Sequence, residues 1–289
     1  MTMDTHALAS QNPAPSKKIR PFLKWVGGKR WLTSYSNLVV PQQFGTYIEP
    51  FLGGGAMFFK IQPERAILAD VNSDLVNCYS QVKANWSGVW EGLIKEAEKH
   101  SKEYYYLIRA QETDYPLRQA IRFLYLNRTC FNGIYRVNKN GKFNVPIGDK
   151  TRLFYDYDDF ESISNALSKT ELLSFDFEKT ISKAERGDFI YCDPPYTVAH
   201  NNNGFIKYNE NLFSWSDQVR LRNSLADAHK RGALFLVSNA NHYAVKELYY
   251  SSDYHIENIS RVSVIGSKND YRGVYSEILI SNYPISLYS

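Results

Sequence analysis

The stretch Asp188–Tyr196 constrains this chain most. Asp188-Phe189-Ile190-Tyr191 is a short apolar run that reads as a buried strand, and it runs directly into Cys192-Asp193-Pro194-Pro195-Tyr196. Proline has no N–H for a sheet ladder, so the strand must stop there with Asp193 at its carboxyl end. In open α/β sheets that end is where ligands bind. An acid, a free carbonyl and a flat ring at one point suit the grip of a planar group carrying an amino substituent.

Upstream, Thr46–Phe51 reads as a strand, Leu52-Gly53-Gly54-Gly55 as a glycine turn and Ala56–Lys60 as a helix. Strand, glycine turn and helix open a nucleotide-binding βαβ unit, but the spacing is not GxGxxG, so a dinucleotide is not indicated. The next strand, Arg65–Asp70, ends in an acid 15 residues beyond Gly55. An acid at that tip binds ribose hydroxyls; its other reading is a cap on the helix that begins near Asn72. Glycine turn and acid together favour the cofactor reading. Gly27-Gly28 before Lys29 makes a second tight turn where backbone can approach a ligand, without the spacing of a P-loop.

From Ser73 to about Lys169 the pattern changes to helices over 73–85, 86–99, 102–113 and 116–128 with no alternating strand. This predicts an α/β chain with a helical insertion at 73–164, flanked by a sheet domain over 19–72 and 165–289 and a disordered leader over 1–18. Within the insertion, Asn140-Gly141 between two β-capable runs signals a hairpin. From Arg118 to Arg152 eight basic residues stand against one acid, and Lys17–Arg30 adds six more with none. Such clustering is the footprint of a polyanion partner, or else a solvated face. Strand–helix alternation resumes with strands at 171–177, 188–191, 233–238, 254–264 and 276–281 and helices at 178–184, 216–229 and 241–250. The polar loop Thr197–Phe213, directly after the Asp-Pro-Pro-Tyr site, reads as a lid.

At 44% hydrophobic and 22% charged the chain has an ordinary globular composition, and its net charge of +4 alone does not argue for nucleic acid. Cys78, Cys130 and Cys192 lack metal or disulfide spacing. No metal is therefore expected. No apolar stretch approaches 18 residues, and Met1–Pro15 has no signal-peptide core. The expectation is a cytoplasmic protein without a membrane segment.

Taken in order, these motifs resemble the Dam-type, alpha-class DNA adenine-N6 methyltransferases over about Phe22–Ile280. Phe22-Leu23-Lys24-Trp25-Val26-Gly27-Gly28-Lys29 resembles the family's N-terminal motif, Glu49–Gly55 its glycine loop and Leu68–Leu75 its second-strand tip. Arg122–Pro146 resembles its recognition hairpin, and Asp193-Pro194-Pro195-Tyr196 its catalytic motif. The resemblance implies a Rossmann-like methyltransferase sheet and S-adenosylmethionine as cofactor. Trp25, Lys29, Phe51, Gly53, Gly55, Asp70, Asp176, Phe177 and Asp193 would then bind the cofactor. Asp193, Pro194 and Tyr196 would be catalytic on a flipped adenine. Lys24, Asn132, Ile134, Arg136 and Asn138 would meet duplex DNA at GATC or a related short site, in a monomer that acts beside a restriction nuclease or alone. Past Gly148, Asp149-Lys150 departs from the Arg-Tyr pair of the Dam proteins, which removes a phosphate or base contact.

Two other readings compete: methylation of RNA or a protein amide, which the basic hairpin opposes, and a non-catalytic DNA-binding regulator. Intact Lys29, Asp70, Asp193 and Tyr196 oppose the second, because a dead enzyme has no need of them.

Overall fold

The computed structural model describes residues 18–149, 152–197, 213–262 and 274–285. Residues 1–17 of the leader, 198–212 of the lid segment, the 266–273 loop and Lys150 of the divergent pair lie outside the described residues.

Seven strands form one sheet: β1 Tyr47–Glu49, β2 Ala66–Ala69, β3 Thr170–Leu173, β4 Phe189–Cys192, β5 Leu234–Ala240, β6 His255–Val262 and β7 Val274–Ser281. Their order is β3-β2-β1-β4-β5-β7-β6. β1 to β5 run parallel, and β7 enters antiparallel between β5 and β6. Strands alternate their side chains between two apolar layers, which is why the parallel ones read as continuous apolar runs. Tyr47, Phe189, Tyr191, Leu236 and Leu279 join one core. Their neighbours Ile48, Ile190, Cys192, Phe235, Val237, Ile278 and Ile280 join the other. The sheet is the α/β, Rossmann-like one expected.

Helices cover both faces. Ahead of the sheet lies α1 (Ser36–Val39), and α2 (Ala56–Ile61) follows the glycine loop. The long α3 (Ser73–Glu98) packs most heavily on α5 (Pro116–Thr129), with α4 (Lys102–Ala110) between them in sequence. α3 breaks at Asn85, whose backbone leaves the helical region and whose Oδ1 accepts the Gly88 N–H at 3.1 Å. That is an internal N-cap, and it explains why the sequence reads as two helices. α6 (Phe160–Leu167) was not anticipated. Its signal was present: Asp159 accepts from Ser162 N–H as N-cap, with Phe160, Ile163 and Leu167 along one face.

The second face carries α7 (Phe177–Ile181), α8 (Trp215–Lys230) and α9 (Tyr243–Leu248). β3 stops four residues earlier than expected because Asp176 turns the chain into α7 as its N-cap, bonding the Glu178 N–H. All three cysteines are buried and free. Among the described residues no helix is long and apolar enough to cross a membrane.

Candidate active site

The strand order reverses between β1 and β4, so the crevice at their carboxyl ends is the topological switch point where such sheets bind ligands. Into it β1 delivers Glu49 and the glycine loop, and β4 delivers Asp193, Pro194 and Tyr196. From the N-terminal turn comes Lys29, 5% exposed. Its Nζ lies 3.1 Å from Asp193 Oδ1 and 3.3 Å from Glu277 Oε2, and donates to Tyr196 Oη at 2.7 Å. Burial disfavours the ammonium, but Asp193, Tyr196 and Glu277 outweigh it and hold the Lys29 pKa above its ordinary value. Lys29 therefore stays cationic. The Tyr196 phenol is pushed up by burial, with Lys29 pulling the other way.

The glycine loop is bound to the same crevice. Gly53 and Gly55 adopt φ of 46° and 63°, the left-handed region that favours glycine. A Cβ on Gly53 would fall 2.6 Å from Trp25 Cδ1, so the indole lies directly against the loop. Trp25 itself stacks on Tyr135, with centroids 5.9 Å apart. Asp70 accepts the Gly53 N–H and the Asn72 N–H, each at 3.0 Å. Burial pushes its carboxyl up, while these two bonds pull it down. The α3 cap is Asn72, whose Oδ1 accepts from Asp74 and Leu75. Asp70 is thus the link between the second-strand tip and the glycine loop.

Phe51 stacks on Phe177 at 5.4 Å, and Phe213 meets both edge-on. Asp176 lies in the turn beyond β3, pairs with Arg220 at 2.8 Å, and leaves the Phe177 ring under the Arg220 guanidinium. Arg220 carried no motif that would have marked it.

Away from the crevice, the expected hairpin is a loop with two antiparallel bridges, Cys130–Ile147 and Val137–Phe143, and no continuous ladder. Its tip is a three-residue turn in which Gly141 takes φ of 73°. Asn138 Oδ1 accepts from the Asn140 and Lys142 N–H groups, so this side chain builds the turn. Lys24 donates to the Arg128 carbonyl at 3.1 Å and covers Gly133, which directs it inward. Arg136 is exposed and donates to Asn144 Oδ1 at 2.9 Å; Asn132 is exposed with φ of 54°, and Ile134 packs partly on the core.

The basic run is largely paired within the fold. Arg118 binds Glu96, Arg128 binds Asp158, Lys142 binds Glu112 and Arg152 binds Asp156. Arg122 donates to the Ile108 and Arg109 carbonyls. The outward charge of this run is therefore smaller than its basic residues alone suggest.

Two buried carboxyls at the site were missed. Glu49 accepts from Tyr47 Oη at 2.9 Å, and burial pushes its carboxyl up to about 8, with that bond opposing and Asp193 adding. Glu277 is buried on β7. Glu49 was read as part of a motif and not as a charge, and Glu277 lies 84 residues from Asp193 in a stretch with no motif.

A mainly parallel sheet with this switch point, a glycine loop tied to an acid at the β2 tip, and an acid–proline–aromatic site at the end of β4 form a Rossmann-like architecture. The chain belongs to the D12 class of N6 adenine-specific DNA methyltransferases, whose family pattern matches residues 25–265. It is 38% identical over 274 residues to the type II methyltransferase M1.LlaDCHI of Lactococcus lactis subsp. cremoris, covering 92% of this chain and 96% of that one. The DNA adenine methylase of Haemophilus influenzae is 36% identical, with 83% and 86% covered. The type II methyltransferase M.MjaIII of Methanocaldococcus jannaschii is 33% identical, with 92% and 100% covered. The protein is an adenine-specific DNA methyltransferase, and DNA is its substrate.

Proposed function

We propose that this enzyme moves a methyl group from S-adenosylmethionine to N6 of an adenine flipped out of duplex DNA, within GATC or a related short site. The observation that carries the reading is the β1–β4 switch point, where the carboxylate of Asp193 stands beside the glycine loop with buried Lys29 against it.

The residues present fit the cofactor. Backbone at Gly53 and Gly55 offers close approach, Asp70 offers carboxylate oxygens at the β2 tip, and Phe51 and Phe177 offer an apolar wall for an adenine ring. Asp176, Trp25 and Lys29 complete the proposed pocket. When bound, S-adenosylmethionine supplies an electrophilic methyl group.

The chain's own task is to make a poor nucleophile available. The N6 lone pair of adenine is delocalised into the ring. Asp193 and the Pro194 carbonyl each accept a hydrogen bond from one N6 hydrogen, which lets the nitrogen become more tetrahedral and stabilises the positive charge that develops on it, and one of these two protons leaves N6 for solvent once the methyl is attached. A base inside a duplex cannot reach these groups, so it is extruded. Tyr196 stacks on the extruded base, for about 1–3 kcal/mol.

Residues 19–72 and 165–289 act as the catalytic unit and 73–164 as the recognition insertion. In that insertion Arg136, Asn132 and Ile134 are the groups assigned to base edges, Arg for guanine and the Ile side chain for a thymine methyl. Asn138 and Lys24 hold the loop and its base. The enzyme works as a monomer in the cytoplasm.

Long-read sequencing of plasmid DNA from cells expressing the chain tests this, with Asp193→Ala as control. N6-methyladenine at one short motif is expected with the parent and none with the variant. Full methylation by Asp193→Ala would overturn the mechanism, and methylation at a motif unrelated to GATC would overturn the site.

A further inference from the structure

Lys29 sits between two carboxylates, and only one of them belongs to the motif at the end of β4. Glu277, 1% exposed, comes from β7, where it stands opposite Ala240 of β5. Its Oε2 is 3.3 Å from Lys29 Nζ and 3.4 Å from Ser238 Oγ, which donates to it. A carboxylate buried inside a sheet is expensive unless a cation and donors meet it. This one meets the cation that also faces Asp193 and Tyr196.

We infer that Glu277 is a positioning residue for methyl transfer: it takes a share of the Lys29 charge, which leaves Asp193 with acceptor strength for the N6 hydrogens. The inference rests on the reading of the site given above.

With Lys29 and Asp193 alone, the pair 3.1 Å apart is neutral, and the ammonium draws on the lone pairs that N6–H needs. With the Glu277 carboxylate also against this ammonium, Lys29, Asp193 and Glu277 together carry one net negative charge, and four oxygens share Nζ. Asp193 is then held in place by Lys29 without being neutralised by it. The groups facing Lys29 are Asp193 and Tyr196 from the β4 end, Glu277 from β7 and the Gly27 carbonyl from its own turn. Glu49 of β1 adds like charge toward Asp193 when ionised. Among the described residues these facing groups all present oxygens to the Lys29 ammonium, and how its charge is divided between them bears on what Asp193 offers the base.

The test is a double-mutant cycle on methyl transfer to unmethylated plasmid DNA with tritiated S-adenosylmethionine. Glu277→Gln keeps the shape and removes the charge, and it is expected to lower the single-turnover rate about tenfold or more, the scale on which one preorganised group acts. The KM values for DNA and cofactor should change by less than about threefold, because only the transition state calls on the added acceptor strength. Glu277→Asp should recover most of the rate. If Glu277 acts through Lys29, then Lys29→Met/Glu277→Gln is no slower than Lys29→Met alone.

A wild-type rate in Glu277→Gln, or losses that multiply in the double variant, would overturn the inference. Should Glu277→Gln be unfolded by circular dichroism, Lys29→Met is compared with Lys29→Met/Glu277→Leu, which replaces the buried pair by apolar groups. Equal rates support the inference, and a further tenfold loss overturns it. A wild-type enzyme that leaves plasmid adenines unmethylated would instead remove the reading of the site on which this rests.

Discussion

The guanidinium of Arg128 is fully buried and grips the carboxylate of Asp158 with two bonds, at 2.6 and 2.8 Å. It also donates to the carbonyls of Leu153 and Phe22, so one side chain ties α5 to the 153–158 loop and to the N-terminal motif. Removing one partner of such a pair leaves an uncompensated buried charge. Arg128→Met is expected to destabilise the fold by about 3–5 kcal/mol, read from urea unfolding. Arg128→Lys should lose nearly as much, because a single ammonium cannot reproduce the paired geometry. A Lys variant with parent stability would show that charge alone matters here.

Gly53 has no room for a side chain. Its φ of 46° strains any other residue, and a Cβ would press on the Trp25 indole, 2.6 Å from Cδ1. Trp25 is backed by Tyr135 and Phe123, so it cannot retreat. Gly53→Ala is expected to displace the loop and weaken S-adenosylmethionine binding about tenfold or more by calorimetry, a loss of about 1.4 kcal/mol or more. DNA affinity without cofactor should be nearly unchanged.

These two residues show what could be read along the chain and what could not. Gly53 belongs to a local pattern, strand–glycine–helix, in which neighbours in sequence are neighbours in space, and the loop, the β2 tip and the end of β4 were all legible on that basis. Arg128 was read as one of eight outward cations because its partner lies 30 residues away and nothing local marks the pair. Glu277 stayed invisible for the same reason: antiparallel β7 carries it to Lys29 across 248 residues of chain. Asn138 illustrates a third limit. Its residue type suits base reading and turn building equally, and the turn-building bonds to Asn140 and Lys142 become visible only in the structure.

Arg136 is an exposed cation of the 130–147 loop, anchored to a side-chain amide, the Asn144 Oδ1 at 2.9 Å. A guanidinium bonded through Nε keeps its terminal N–H groups for a guanine edge. Arg136→Ala is expected to cost about 1–3 kcal/mol at the cognate site and to relax discrimination there. Cofactor affinity should stay unchanged. A uniform loss on all sequences, with a shallower salt dependence, would assign Arg136 to a phosphate instead.

Glu49 gives the site its own pH signature. Its folded carboxyl is pushed up to about 8 by burial, against an ordinary value of 4.5, so between those limits the folded state binds more protons than the unfolded one. Stability contributed by that excess proton is fully present below the unfolded pKa and is lost as pH rises through the folded one. The melting temperature is therefore expected to fall between about pH 5 and pH 8 beyond what the remaining groups cause. Glu49→Gln has no proton to lose and can still accept the Tyr47 hydrogen bond. Its melting temperature should exceed the parent's at pH 8.5 and match it near pH 5, with a limiting difference of about 5 kcal/mol from the size of the shift. Parallel melting curves for parent and variant across that range would show that Glu49 is ionised in the folded protein throughout.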